Sequence, residues 1–240
     1  MTAGSRSSLH SCIKYEAPLT LQLRVLAERL ARQSRRHPLL FALNTFAALV
    51  MSLGLGAIFW ATGKDTGGIQ DRFGSLFFTL LYLSLSSLSS LPVWRDDRLI
   101  FLRERSSGCY YTLAYFIAVV AFDILPLRLL PPALFSLLSY PMIGLRPDLI
   151  AWAKNLLALT LHNITSAALS MAIGVAIPSS VAASNMAGSL VILGSSLLGG
   201  FLMSRSQMPF LVDLLASLSH VRYSYEALAS NEFHGAEGYR

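Results

Sequence analysis

LLFALNTFAALVMSLGLGAIFWAT, residues 39–62, runs for 24 residues without Asp, Glu, Lys or Arg. Coiled as a helix at ~1.5 Å per residue it reaches about 36 Å, enough to cross a hydrocarbon core of ~30 Å. Further along the chain lie four more apolar runs, at about 73–93, 110–145, 149–177 and 181–203. The whole chain of 240 residues is 54% apolar and only 13% charged, where soluble domains carry roughly a quarter charged residues. Mean hydropathy is +0.54. These values exclude a soluble globular domain and a disordered tail. They predict an all-α, polytopic transmembrane bundle of about five spanning helices.

Outward toward the N-terminus, residues 19–36 have helical periodicity. Leu19, Leu23, Leu26 and Leu30 form one stripe, and Gln22, Arg24, Glu28, Arg29 and Arg32 lie away from it. This is the pattern of an amphipathic helix on the membrane surface, and equally of a helix packed on another domain. Residues 1–18 read as a flexible, Ser-rich tail with no signal-peptide apolar core. The net charge is +6, with seven basic residues in the first 36 positions and four more from Arg95 to Arg105. Both clusters flank apolar runs, so they mark cytoplasmic segments rather than a nucleic-acid face. The N-terminus is therefore expected in the cytoplasm, with loops 94–109 and 178–180. Loops 63–72 and 146–148 and the C-terminal segment are expected outside. Cys12 and Cys109 both fall on the cytoplasmic side, where a disulfide is not expected.

Between the runs, 63–72 reads as a polar turn. WRDDRLIFLRERSSG (94–108) is too charged to span and too regular for a simple turn, so a short cytoplasmic helix is expected there. The run 110–145 overshoots the bilayer, and Pro126, Pro131 and Pro132 predict a kink. The stretch 209–233 is amphipathic, with Leu211, Leu214, Leu218, Val221, Tyr225 and Leu228 at helical spacing. Its charged residues make it a poor spanning segment, so an interfacial or re-entrant helical segment is expected there.

Catalytic and nucleotide motifs are missing from these 240 residues: no G-x-x-x-x-G-K-[ST], G-x-S-x-G, H-E-x-x-H or C-x-x-C occurs. The five histidines are scattered and suggest no metal site. The chain is not expected to be an enzyme. Asp123 and Arg128 lie in the third run, where a charge is costly. Five residues apart, they face each other only if the Pro126 kink helps. Lys154 can snorkel, and His162 reads as a hydrogen-bonded core residue. Asn163-Ile164-Thr165 is a chance sequon in mid-span. The pairs Ser52/Gly56, Ser86/Ser90, Ser195/Gly199 and Ser196/Gly200 permit close helix approach.

FLRERSSGCY (101–110), YFIAVVAFDILPLRLLPP (115–132) and SYPMIGLRPD (139–148) resemble the membrane domain of the G subfamily of ATP-binding-cassette transporters, the White and multidrug-resistance half-transporters. GGFLMSRSQMPF (199–210) and RYSYEALASNEFHG (222–235) resemble the segment after that family's fifth helix. QLRVLAERLARQSRRHP (22–38) is similar to its connecting helix. The likeness spans residues 19–235, read as an ABC-2 type transmembrane domain, with 236–240 a short tail. It rests most on ER-x-x-G-x-Y and EAL-x-x-NEF-x-G.

The resemblance implies a connecting helix at 19–36 and a coupling helix at about 97–108, with Glu104 and Arg105 in a polar network at the interface with a nucleotide-binding domain. It implies a substrate cavity lined by Phe78, Tyr82 and Leu85 of the second helix, by Ser189, Ile192, Leu193 and Ser196 of the fifth, and by Arg128. It implies an apolar plug at Phe201 and Leu202, where many members carry two leucines. ATP and Mg would be bound by a nucleotide-binding domain outside these residues, and no cofactor by this chain. The implied partners are membrane lipids, that domain, and a second half-transporter in a homo- or heterodimer. The family also carries an ATP-binding domain before, and a sixth helix after, the part matched here. The chain is thus expected to be a subunit or fragment of an exporter of amphipathic or lipid-like compounds. The alternative is a truncated, non-transporting partner that dimerises with a full-length transporter.

Overall fold

A computed structural model describes residues 17–36, 38–63, 65–121, 125–177, 180–201 and 209–233. Among them are ten α-helices and no strand: α1 (Leu19–Arg36), α2 (Pro38–Ile58), α3 (Thr66–Ser87), α4 (Leu91–Ser106), α5 (Thr112–Val119), α6 (Leu125–Ile143), α7 (Leu149–Ala176), α8 (Val181–Leu197), α9 (Phe210–Ser217) and α10 (His220–Phe233). A single 3₁₀ turn, Leu88–Ser90, joins α3 to α4.

α7 carries its polarity inside out. Asn155, His162, Asn163, Ser166 and Ser170 are buried against the bundle, while Leu157 and Leu161 are 60% and 55% exposed. In water such a helix would expose its leucines and bury its serines for no gain. In lipid the outer leucines meet an apolar solvent and the inner polar groups find partners. α2 and α7 are long and apolar enough to cross a membrane, over Phe41–Ile58 and Leu149–Ala176, and α8 is a shorter apolar helix. The architecture is a helical membrane bundle.

Small residues set its tightest contact. Ala48, Ser52 and Leu55 of α2 are buried. A Cβ on Gly56 would fall 2.8 Å from Met142 Sδ and 2.9 Å from Met142 Cβ of α6. Because the Cβ of Met142 cannot swing away, Gly56→Val is expected to cost about 1–3 kcal/mol, measured as a lower unfolding midpoint in micelles. Beyond this contact the two helices end together. Ala61 and Thr62 donate their N–H groups to the carbonyls of Met142 and Ile143 at 2.9 and 3.0 Å.

Two helix stops explain motif glycines. Gly108 has φ +70° and Gly144 has φ +74°, conformations that favour glycine. Cys109 N–H bonds Glu104 O at 3.2 Å, and Gly108 N–H bonds Arg105 O at 3.1 Å. Leu145 N–H and Gly144 N–H repeat the pattern on Tyr140 O and Pro141 O, both at 3.3 Å. These paired bonds close α4 and α6 on their last free carbonyls. The glycine of ER-x-x-G-x-Y is the stop that turns the chain from α4 into α5.

Several sequence expectations are corrected. The polar stretch 63–72 is not a turn throughout, since α3 already begins at Thr66 and Arg72 is buried on it. α4 starts at Leu91, inside the apolar run assigned to the second span, and not at 97. Within the third run the described residues form α5 and α6. The first is followed by a π-helical step at Val120–Ala121, the second begins at Leu125 beyond residues 122–124, which lie outside the described residues, and Pro131, Pro132 and Pro141 all lie within α6. α8 ends at Leu197, short of 203. The C-terminal stretch forms two helices, α9 and α10, and α10 packs into the bundle. Its Val221, Tyr225 and Leu228 belong to the main core with Leu76, Leu80 and Leu83 of α3, Tyr140 and Ile143 of α6, and Leu159 of α7. Cys12, Asp123 and Leu202 lie outside the described residues.

Candidate functional site

Three polar assemblies hold the bundle. The first is a corner where α1, α4 and α5 meet. Arg29 Nη1 donates to Glu104 Oε1 at 2.6 Å, and Tyr110 OH donates to Glu104 Oε2 at 2.6 Å. Gln22 is buried here rather than on an outer polar face, and its Oε1 accepts from Tyr111 N–H at 2.8 Å. It thereby satisfies a free donor at the start of α5, whose N-cap has no side-chain cap of its own. Phe101, Tyr110 and Tyr115 stack around the corner, with centroids 4.8 and 5.6 Å apart along the series Phe101–Tyr115–Tyr110. Leu26 of α1 and Ala114 and Ala118 of α5 complete this small core. The apolar stripe of α1 thus faces α5. On its outer side α4 exposes Leu99, Ile100 and Leu102 together with Arg105.

The second assembly sits at the other end. Arg72 of α3 and Glu232 of α10, each 3% exposed, form an ion pair. Arg72 Nη2 also donates to Thr62 O at 3.0 Å, and Arg146 N–H donates to Glu232 Oε2 at 3.1 Å. The neighbours of Glu232 are used as well. Asn231 Nδ2 donates to Ala151 O at 2.8 Å, and the Phe233 ring lies 4.6 Å from Phe73. Asn-Glu-Phe therefore ties the end of α10 to α3, to the turn after α6 and to the start of α7.

The third is a buried polar seam between α3, α7 and α10. His162 Nε2 lies 2.8 Å from Ser84 Oγ and 3.1 Å from Leu80 O, and its Nδ1 lies 2.9 Å from Ser224 Oγ. His220 Nε2 is 3.1 Å from Ser166 Oγ, and the two imidazoles stack with centroids 5.3 Å apart. Ser87 and Ser170 continue the seam at 2.9 Å. Arg128 Nη2 reaches Ser87 O at 3.5 Å, and Asn163 Nδ2 donates to Arg128 O at 2.8 Å. That bond commits the Asn163 amide inside the bundle and disposes of the sequon.

The residues implied for the cavity do not converge on one space inside the chain. Phe78, Leu85 and Leu193 are exposed on the outer faces of α3 and α8. Tyr82 is half-buried and stacks on Phe135 at 5.6 Å, and Ser189 Oγ turns to its own helix at Asn185 O, 2.8 Å away. Ile192, Ser196 and Arg128 are enclosed by the chain's own helices. Phe201 packs on Phe77. The pairing of Arg72 with Glu232, which lies in the quoted NEF string, and the joining of the serines into a seam escaped the sequence reading. The seam did leave a signal: His162, Ser166 and Ser170 at i, i+4, i+8, Ser84 and Ser87 at i, i+3, and His220 and Ser224 at i, i+4.

An inverted polarity pattern, polar knots at both ends and a hydrogen-bonded seam through the middle define an integral-membrane helical domain. Its particular kind follows from comparison with known proteins. The family model described as ABC-2 type transporter matches residues 21–233, and the chain belongs to that family. It is 35% identical to ABC transporter G family member 24 of Dictyostelium discoideum over 92% of this chain and 19% of that protein. It is 34% identical to a probable ATP-dependent permease of Saccharomyces cerevisiae over 88% of this chain and 20% of that one. To the broad substrate specificity ATP-binding cassette transporter ABCG2 of Sus scrofa it is 28% identical, over 96% of this chain and 35% of the relative. The chain thus spans between about a fifth and a third of these relatives' lengths, and within the family it is homologous to the G subfamily.

Proposed function

We propose that this chain is the substrate-conducting membrane part of an ATP-driven exporter of the G subfamily. It would span the membrane five times with its N-terminus in the cytoplasm. ATP and Mg would be handled by a nucleotide-binding domain outside these residues, and the chain itself would catalyse nothing. A homo- or heterodimer would bring the exposed apolar residues of α3 and α8, including Phe78, Leu85 and Leu193, to face their counterparts across a path for amphipathic or lipid-like compounds.

The observation that carries this reading is the α1–α4–α5 corner. Glu104 is gripped from both sides, by Arg29 at 2.6 Å and by Tyr110 at 2.6 Å, on a helix whose outer apolar face is uncovered among the described residues. A domain pressing on Leu99, Ile100 and Leu102 would move α4, and Glu104 would pass that movement to α1 and to the start of α5. In the exporter assembled with its ATPase, Glu104→Lys places a cation against Arg29. Transport into vesicles is expected to fall at least about tenfold, the effect of ~1.4 kcal/mol on a barrier, with ATP hydrolysis retained. Unchanged transport would remove the coupling role.

A further inference from the structure

α8 ends at Leu197, and the chain turns through Gly199 and Gly200 into Phe201. Gly200 has φ +87°, which favours glycine. A Cβ on Gly199 would lie 2.9 Å from Ser196 O and 3.3 Å from Val221 Cγ1, so the backbone passes close against α10. This turn directs the Phe201 ring into its own chain. It stacks on Phe77 of α3 with centroids 4.8 Å apart and planes 18° apart. It also meets Tyr225 of α10 edge-on, at 6.1 Å and 74°. Tyr225 lies 6.2 Å from Phe73, and Phe73 lies 4.6 Å from Phe233. Phe73 follows Arg72 and Phe233 follows Glu232, so the ring series closes on the buried ion pair.

We propose that Phe77 and Tyr225 are positioning residues that hold Phe201 within its own protomer, and that the Arg72–Glu232 pair sets where that holder stands. The inference rests on the exporter reading only for calling Phe201 a plug; the positioning itself is a property of this chain. It also gives a reason for phenylalanine at 201 in place of leucine. A leucine has no face to stack on Phe77 and no quadrupole to meet the edge of Tyr225. An opening of the path past Phe201 then requires the α3–α10 contact to move.

The test uses the full chain in lipid nanodiscs, with Trp60, Trp94 and Trp152 replaced by Phe and Phe201→Trp as the only indole. Circular dichroism confirms that each variant keeps its helices. Tyr225→Leu removes a ring that touches the probe, and Glu232→Gln loosens the ion pair without touching it. Under the proposal, acrylamide quenching of the indole rises about two- to tenfold in both, the population change expected from losing an aromatic pair. Quenching and emission unmoved by Tyr225→Leu overturn the proposal. If Tyr225→Leu acts and a folded Glu232→Gln does not, the ion pair's share is overturned and Phe201 is held by its ring contacts alone. Should Glu232→Gln fail to fold, Tyr225→Leu and Phe77→Leu decide the matter. A chain in which the probe responds but no nucleotide-driven export is found with any ATPase keeps the positioning and loses the exporter reading.

Discussion

Glu232→Gln is expected to lower the stability of the bundle by about 3–5 kcal/mol, the cost of removing one partner of a buried ion pair, read as a fall in the thermal and SDS-unfolding midpoints. The glutamine has the same shape and can still accept from Arg146 N–H. It cannot neutralise Arg72, which is 3% exposed. The lost quantity is the compensation of a charge, not a contact. This separates two explanations experimentally. Arg72→Met leaves a buried carboxylate and is expected to cost a similar amount. Replacing both, as Arg72→Met with Glu232→Met, removes the unpaired charge and is expected to recover at least half of the loss. Recovery stays incomplete because Thr62 O and Arg146 N–H each lose a partner. A double variant no better than either single one would mean that the pair acts through packing rather than charge.

Much of the bundle was legible because the bilayer imposes long apolar runs. The runs read at 39–62 and 149–177 became α2 and α7 with their ends moved by four residues or fewer. Charge patterning located α4, but its start was hidden. Leu91 is apolar and reads as the end of the preceding span, whereas the backbone tightens into a 3₁₀ turn three residues earlier. The Arg72–Glu232 pair was illegible for a different reason. Its partners are 160 residues apart, and each sits in a stretch whose local composition is polar. Only tertiary packing turns Asp71 outward and Arg72 inward. The cavity residues were assigned by resemblance, and their exposure was not legible in the sequence. On α8, Leu193 faces out while its neighbour Ile192 is fully enclosed, because one residue is about 100° of helix.

His162→Ala is expected to cost about 2–4 kcal/mol, and the magnitude tells which property of the ring matters. The ring is 1% exposed, so deleting it leaves a cavity, and large-to-small changes in cores cost about 2–5 kcal/mol. Its polar contacts to Ser84, Leu80 and Ser224 lie between 2.8 and 3.1 Å. Inside membranes such hydrogen bonds average only about 0.6 kcal/mol each, because an unfolded but still inserted chain finds other partners. Three of them amount to no more than about 2 kcal/mol on that scale, so filling the space is expected to dominate. His162→Phe, which restores volume without polarity, should therefore regain more stability than His162→Asn, which keeps a polar group in a smaller side chain. The opposite order would mean that the serines of α3, α7 and α10 depend on the imidazole for their hydrogen bonds. The stack on His220 adds a check. The double substitution to Ala should cost less than the sum of the single ones, by the amount their contact at 5.3 Å contributes. Strict additivity would place the two rings in the seam independently, joined only through Ser84 and Ser166.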